Sequence, residues 1–315
     1  MKKKTSAEFD AIMKEHRARV VRLSEKRGVA EMKKLYDETQ AEVARKLRRL
    51  RKASEPFQAH HLNVVLAQLK DGQAHAMRRM ADELGDVTQD VAHDSLRSLT
   101  SEIARMEKHY KGSASPLPID EASVFRKIVS KRRQSMLRQH ETSMVRYGAS
   151  LVTKMEDELS KSILAEENYG EAVDRIVDTS DVEWWKGEQI VRTESMFSFS
   201  ATRADGLSEA AQVLDDLRMR WVEHVDDSTF EPLDDRVAKD SIALHAQVVV
   251  PLTSFKFPND MPDGGELPEE CERYVGRSFA FPPDRPNDRA SLAPWRPGWG
   301  IPAWELVGWE RKWLA

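Results

Sequence analysis

The stretch Asp234-Asp235-Arg236-Val237-Ala238-Lys239-Asp240-Ser241-Ile242-Ala243-Leu244-His245-Ala246-Gln247 separates two kinds of sequence. Before it, apolar residues recur at helical spacing among many charges. After it, proline, glycine and tryptophan take over. Within it, two acids and an arginine stand ahead of a histidine, with Ile242 and Leu244 between. Such residues can make a buried ion pair, a metal shell or an acid–base pair.

Working outward toward the N-terminus, Phe9, Ile12, Met13, Val20, Leu23, Met32, Leu35, Tyr36, Val43, Leu47 and Leu50 follow a helical period. Gly28 marks a break or bend, and Pro56 ends the segment. From Leu62 to Tyr110 the apolar steps mostly alternate between three and four, which is the seam of a coiled coil or a long bundle helix. Lys111 to Pro118 reads as a linker. Asp120 or Ser123 then caps another long helix whose apolar residues run from Val124 to Leu159. Its methionines read as core filler. Asn168 to Gln212 reads as shorter helices joined by loops. Arg192 and Glu194, two apart, point in different directions and need separate partners. Ala211 to Trp221 reads as a helix running into a strand.

Working toward the C-terminus, Asp226-Asp227-Ser228 is a turn, and Pro232 or Asp234 starts a helix with Arg236 in its first turn. Gln247 to Val250 is a short strand that Pro251 ends. Ten of the fourteen prolines lie from Pro251 onward, which excludes extended helix there. Five of the eight tryptophans, Trp295, Trp299, Trp304, Trp309 and Trp313, fall in the last 21 residues. They must bury against the body or against a neighbouring chain, and as a group they are interface candidates. The expected fold class is α+β: long N-terminal helices, bundle or coiled-coil-like, followed by a small α+β domain with a Pro/Trp-rich tail. The expected division is a helical arm over 1–112, a helical region over 119–215 and the small domain over 216–315.

The net charge of −4 conceals an asymmetry, because residues 1–52 carry 17 Lys and Arg against 8 Asp and Glu. Lys46, Arg48, Arg49, Arg51 and Lys52 are the densest part of this basic arm and are the candidates for contact with DNA or an acidic protein surface. The competing reading is a solvated helix face. No run reaches the roughly 18 apolar residues of a membrane span, and no apolar stretch follows the basic N-terminus as a signal peptide would need. Cys271 is the only cysteine, which rules out an intramolecular disulfide and fits a reducing cytoplasm.

Candidate chemistry is sparse. His245 with Asp234, Asp235 and His224 can be drawn as a metal shell, but no established zinc spacing is present. A histidine hydrogen-bonded inside a small β-containing core is the simpler reading. There is no Gly-x-Ser-x-Gly elbow and no phosphate loop. No catalytic residue, metal or cofactor is assigned.

Several pieces occur in one order: Val191-Arg192-Thr193-Glu194, Trp221 followed by Asp226, Asp234-Asp235-Arg236-Val237 with Leu244-His245, Phe281-Pro282-Pro283-Asp284, and Pro286-Asn287-Asp288-Arg289. Over roughly residues 170–297 this order resembles the minor head proteins of tailed bacteriophages, the Mu F-like head-morphogenesis family. Many members carry four cysteines where this chain has Ala238, Ser241, Asp288 and Ala290, and a glycine where it has Ala246. With no sulfur at those positions, no metal or disulfide clip is expected. Arg192, Glu194, Asp235, Arg236 and His245 are then expected to form the ion-pair and hydrogen-bond core, with His245 bonded to backbone or to Asp235.

The resemblance implies a structural virion component, not an enzyme, held inside the capsid near the portal after assembly in the host cytoplasm. Its implied partners are the portal protein, the major capsid or scaffolding protein, and packaged DNA through the basic arm, with copies arranged around the portal ring and no membrane. Two other classes compete. One is an ADP-ribosyltransferase-type effector carried in the virion, for which Arg192 and the acids of Glu266-Leu267-Pro268-Glu269-Glu270 are available but Pro268 spoils the strand. The other is a DNA-binding scaffold arm.

Overall fold

A computed structural model describes residues 7–23, 28–114, 116–225, 231–233, 237, 239–261, 266–282, 289–299, 301, 303–307 and 310–314. It is α+β. Five long helices come first, α1 (Ala7–Val21), α2 (Gly28–Arg48), α3 (Ala59–Lys111), α4 (Ala122–Leu164) and α5 (Tyr169–Ala210). Then follow β1 (Arg218–Val222), a short α6 (Lys239–Leu244), β2 (Val248–Val249), β3 (Phe255–Lys256), β4 (Ser278–Phe279), β5 (Ser291–Trp295), β6 (Ala303–Val307) and β7 (Glu310–Leu314). Among the described residues no helix is long and apolar enough to cross a membrane.

The long seam from Leu62 to Tyr110 is one 53-residue helix, as its three–four period requires. α2 begins at Gly28, where the break was expected. Asp120 accepts the Leu117 N–H at 3.0 Å and so closes the 3-10 turn that precedes α4. The expectation of shorter helices over Asn168 to Gln212 is corrected. α5 is a single helix of 42 residues. Its start is a reciprocal cap: Glu171 N–H donates to the Asn168 side chain at 3.0 Å, and Asn168 N–H donates to the Glu171 carboxylate at 2.9 Å. Its glycines permit close approach instead of breaking the helix. A Cβ at Gly187 would lie 2.7 Å from the Trp184 ring, and one at Gly206 would lie 2.7 Å from Leu96.

The chain forms two compact units, each discontinuous in sequence. Residues 25–87 and 134–192 make one. Segments of α2, α3, α4 and α5 share a core there that includes Tyr36, Leu69, Met77, Met144, Leu151, Ile176 and Trp184. Two connectors clasp each other at the end of these helices: Phe57 N–H donates to Glu167 O at 2.9 Å, and Tyr169 N–H donates to Glu55 O at 2.7 Å.

Residues 1–24, 88–133 and 193–315 make the other unit. Its core joins Phe9, Ile12 and Met13 of α1 to Leu96, Leu99 and Ile103 of α3, Leu207 of α5, and Met219, Trp221, Leu292 and Trp299 of the C-terminal region. The three-stranded sheet runs β2-β1-β5, all antiparallel, with Trp221 opposite Leu292 and Met219 opposite both Val249 and Pro294. β5 lies at an edge, where Pro294 removes no ladder hydrogen bond.

Candidate functional site

Charges collect in the core of the second-described unit, and each arrives there by helical register. His16 sits in the α1 stripe of Phe9, Ile12, Met13 and Val20. Glu102 lies beside Leu99, Ile103 and Met106 on α3, and Arg203 lies one turn from Phe199 and from Leu207 on α5. All three are buried. Arg203 pairs with Glu102, donates to Ser98 Oγ at 3.0 Å and donates to the Leu292 carbonyl at 2.5 Å. His16 Nδ1 stands 3.2 Å from Glu102 Oε1, and His16 Nε2 stands 2.7 Å from Ser291 Oγ. Arg19 approaches the same carboxylate at 3.7 Å.

Burial pushes the Glu102 carboxyl up, but Arg203 and His16 outweigh it and hold the group at about 2. An ionised Glu102 accepts, so Nδ1 of His16 carries the proton and the Ser291 hydroxyl donates to Nε2. Burial lowers the His16 pKa, partly opposed by Glu102. The imidazole is therefore neutral at neutral pH. The order serine–histidine–glutamate has the connectivity of a hydrolase triad. Ser291, however, is only 1% exposed and lies in the β1–β5 ladder, and Glu102 is already committed to Arg203. The group ties α1, α3, α5 and β5 together, and a nucleophile in it has no access to substrate.

Two further buried clusters lie in the same unit. Arg296 pairs with Glu107 at 2.7 Å and with Asp216, and Trp299 Nε1 donates to Glu107 at 3.2 Å. Next to β1, the Ser241 hydroxyl donates to the Glu223 carboxylate, whose other oxygen accepts His224 N–H at 2.9 Å. Glu223 N–H donates to His245 Nδ1 at 3.1 Å, and Trp304 Nε1 donates to the His245 carbonyl at 2.7 Å. Ala246, the next residue, adopts φ of +66°.

The expected site residues meet only in part. His245 is fully buried and bonded to backbone. Glu194 is also buried in this unit. Arg192 bonds one turn back along its own helix to Glu188. Asp235 and Arg236 lie outside the described residues, as does Asp234. Trp295, Trp299 and Trp304 are 3%, 0% and 0% exposed, and Trp295 Nε1 donates to Ile301 O at 3.0 Å. Of the two expected places of burial, the body or a neighbouring chain, these three take the body, where indoles with bonded N–H groups bury at little cost. The side chains of Trp309 and Trp313 are outside the described residues. Lys46, Arg48, Arg49, Arg51 and Lys52 are all exposed, with Lys46 paired to Glu42 at 3.1 Å and Arg48 to Asp174 at 2.7 Å.

The sequence reading overlooked His16, Glu102, Arg203 and Ser291. The available signal was an ionisable residue at a core register, since a buried charge needs a partner. Among the described residues no group of three or more His, Cys, Asp or Glu is placed to hold a metal. A cleft of about 350 Å³ in the other unit is lined by Lys154, Glu158, Arg175, Asp178 and Thr179, with Arg175 paired to Glu158 and Glu167. Comparison with protein-family models, curated proteins and solved structures finds no match for this chain.

Proposed function

We propose that the chain is a non-enzymatic structural component of a tailed-bacteriophage head, a minor head protein bound at the portal vertex. One observation carries the reading: the ordered set of sequence pieces around Trp221, Leu244-His245 and the proline-rich segment, with its histidine followed by a residue in the left-handed region. The related pattern has glycine at that place, and glycine is the residue that takes φ of +66° without a Cβ penalty.

The buried chemistry supports a mechanical role. Glu102 spends its charge on Arg203, and Glu107 spends its charge on Arg296. Groups used in this way fix a shape and are not available to a substrate. Such a part works by being held, and the exposed cations from Lys46 to Lys52 offer one surface to an acidic face of the portal or to packaged DNA.

The test is co-purification with the portal protein of the same virus. A stable complex that survives size exclusion is the expected result. Failure to associate, together with turnover of NAD by the purified chain, would overturn the reading in favour of a transferase.

A further inference from the structure

The clasp between the two connectors of the helical unit is built around one histidine. The turn from Glu55 to Gln58 carries two of the bonds across it: the Glu55 carbonyl accepts from Tyr169 N–H, and Phe57 N–H donates to Glu167 O. Beside them, Gly170 N–H donates to Ala53 O at 2.9 Å and the Tyr169 hydroxyl donates to Leu47 O at 3.1 Å. His61, in the first turn of α3, holds that turn in place. Gln58 N–H donates to His61 Nδ1 at 3.2 Å, and His61 N–H donates back to Gln58 O at 2.8 Å. The imidazole is 3% exposed and packs against the rings of Phe57 and Tyr169, with centroids 5.9 and 6.2 Å away.

These contacts need the neutral ring. A nitrogen that accepts a hydrogen bond carries no proton, so Nδ1 is bare and Nε2 holds the hydrogen. In the charged ring an N–H at Nδ1 faces the N–H of Gln58, and the turn loses the acceptor that holds it. The groups around the ring come from three elements. The connector supplies Glu55, whose Oε1 stands 3.5 Å from Nε2, and Arg51. α3 supplies His60, its ring centroid 3.9 Å away, and α5 supplies Tyr169, whose phenol burial keeps neutral. Burial, His60 and Arg51 oppose the charged ring and Glu55 favours it; the balance lowers the pKa of His61. We propose that protonation of His61 opens the clasp between the two connectors, so that mild acid frees this end of the helical unit while its core stays folded. The inference does not rest on the head-protein reading.

The experiment is amide hydrogen exchange of the full chain, followed by NMR from pH about 7.5 to about 5 and expressed as protection factors. The amides of Phe57, Tyr169 and Gly170 report the clasp, and those of Leu69 and Met77 report the core of the same unit. In the opened turn His61 takes its proton near the ordinary 6.5, so the opening constant rises by at most about thirtyfold at pH about 5. Protection at the three clasp amides is expected to fall by at least about threefold, and by less at Leu69 and Met77. His61→Gln keeps an acceptor for Gln58 and does not titrate, so its clasp amides are expected to be protected equally at both ends of the range. His60→Gln is expected to retain the fall. The proposal is overturned if the wild-type clasp keeps its protection in acid, or if Leu69 and Met77 lose as much, which is global unfolding. It is also overturned if His61→Gln shows the same fall, or if the His61 ring signals show it charged at pH about 7.5 with the clasp protected.

Discussion

At Glu102, burial and charge pull in opposite directions, and the pairing with Arg203 decides the outcome. Removing one partner leaves the other charged in the core, a loss of about 3–5 kcal/mol. Glu102→Gln is therefore expected to destabilise the chain by that amount in urea denaturation. The double change Glu102→Leu/Arg203→Met is expected to cost less than the two single changes added together. Additive costs would show that the two groups do not interact.

Acid acts on buried histidines in the same direction. His140, fully buried on α4, is held down at about 4 by burial, while the unfolded chain takes up its proton near 6.5. Between those values the unfolded state binds more protons, so stability falls as pH drops from about 6.5 to about 4. The loss from this residue is on the order of 3 kcal/mol. His16 adds to it from the same upper limit. Stability measured across that range tests the sign, and a flat profile would contradict it. At Ala246 the strain is in the backbone. Ala246→Gly is expected to leave stability unchanged or raise it, whereas Ala243→Gly inside α6 lowers it by about 1 kcal/mol or more, both read by thermal melting. His245 could be read from sequence as a core histidine because it sits among Ile242, Leu244 and a following strand. Glu102 and Arg203 could not be matched to each other, since 101 residues separate them.

At the scale of elements, periodicity served where apolar residues recur without interruption. α3 reads through Gly85 because the three–four steps from Met77 to Val91 continue across it. α5 runs unbroken through what the sequence divides into shorter helices, with Gly187 and Gly206 inside it. The glycines there answer to packing that only the folded chain shows. Gly187→Ala, which helix propensity alone would favour, is expected to destabilise by about 1–3 kcal/mol, since its methyl would meet the Trp184 ring. Denaturant midpoints decide it, and an increase in stability would place the ring elsewhere. β1 and β2 were legible one by one, as the strand reached at Trp221 and the short strand within Gln247 to Val250, whereas after Pro251 proline excludes helix but does not give the pairing β2-β1-β5.

For the whole molecule, chain order is a poor guide to contact. α1 and α2 adjoin in sequence yet belong to different compact units, and α3, α4 and α5 each contribute residues to both. The basic balance over residues 1–52 read as one arm, but it includes α1, whose apolar stripe and His16 are part of a core with β5. Composition cannot reveal this, because a buried stripe and a solvated face occupy the same helix. Buried charges paired between helices and strand, as Glu102 with Arg203 and Glu107 with Arg296, fit the proposed fixed part of a larger assembly. Quantitative mass spectrometry of purified phage heads tests that most directly. The account predicts this chain in a small, fixed ratio to the portal protein; its absence from heads, or its presence at the abundance of the capsid shell, would contradict it.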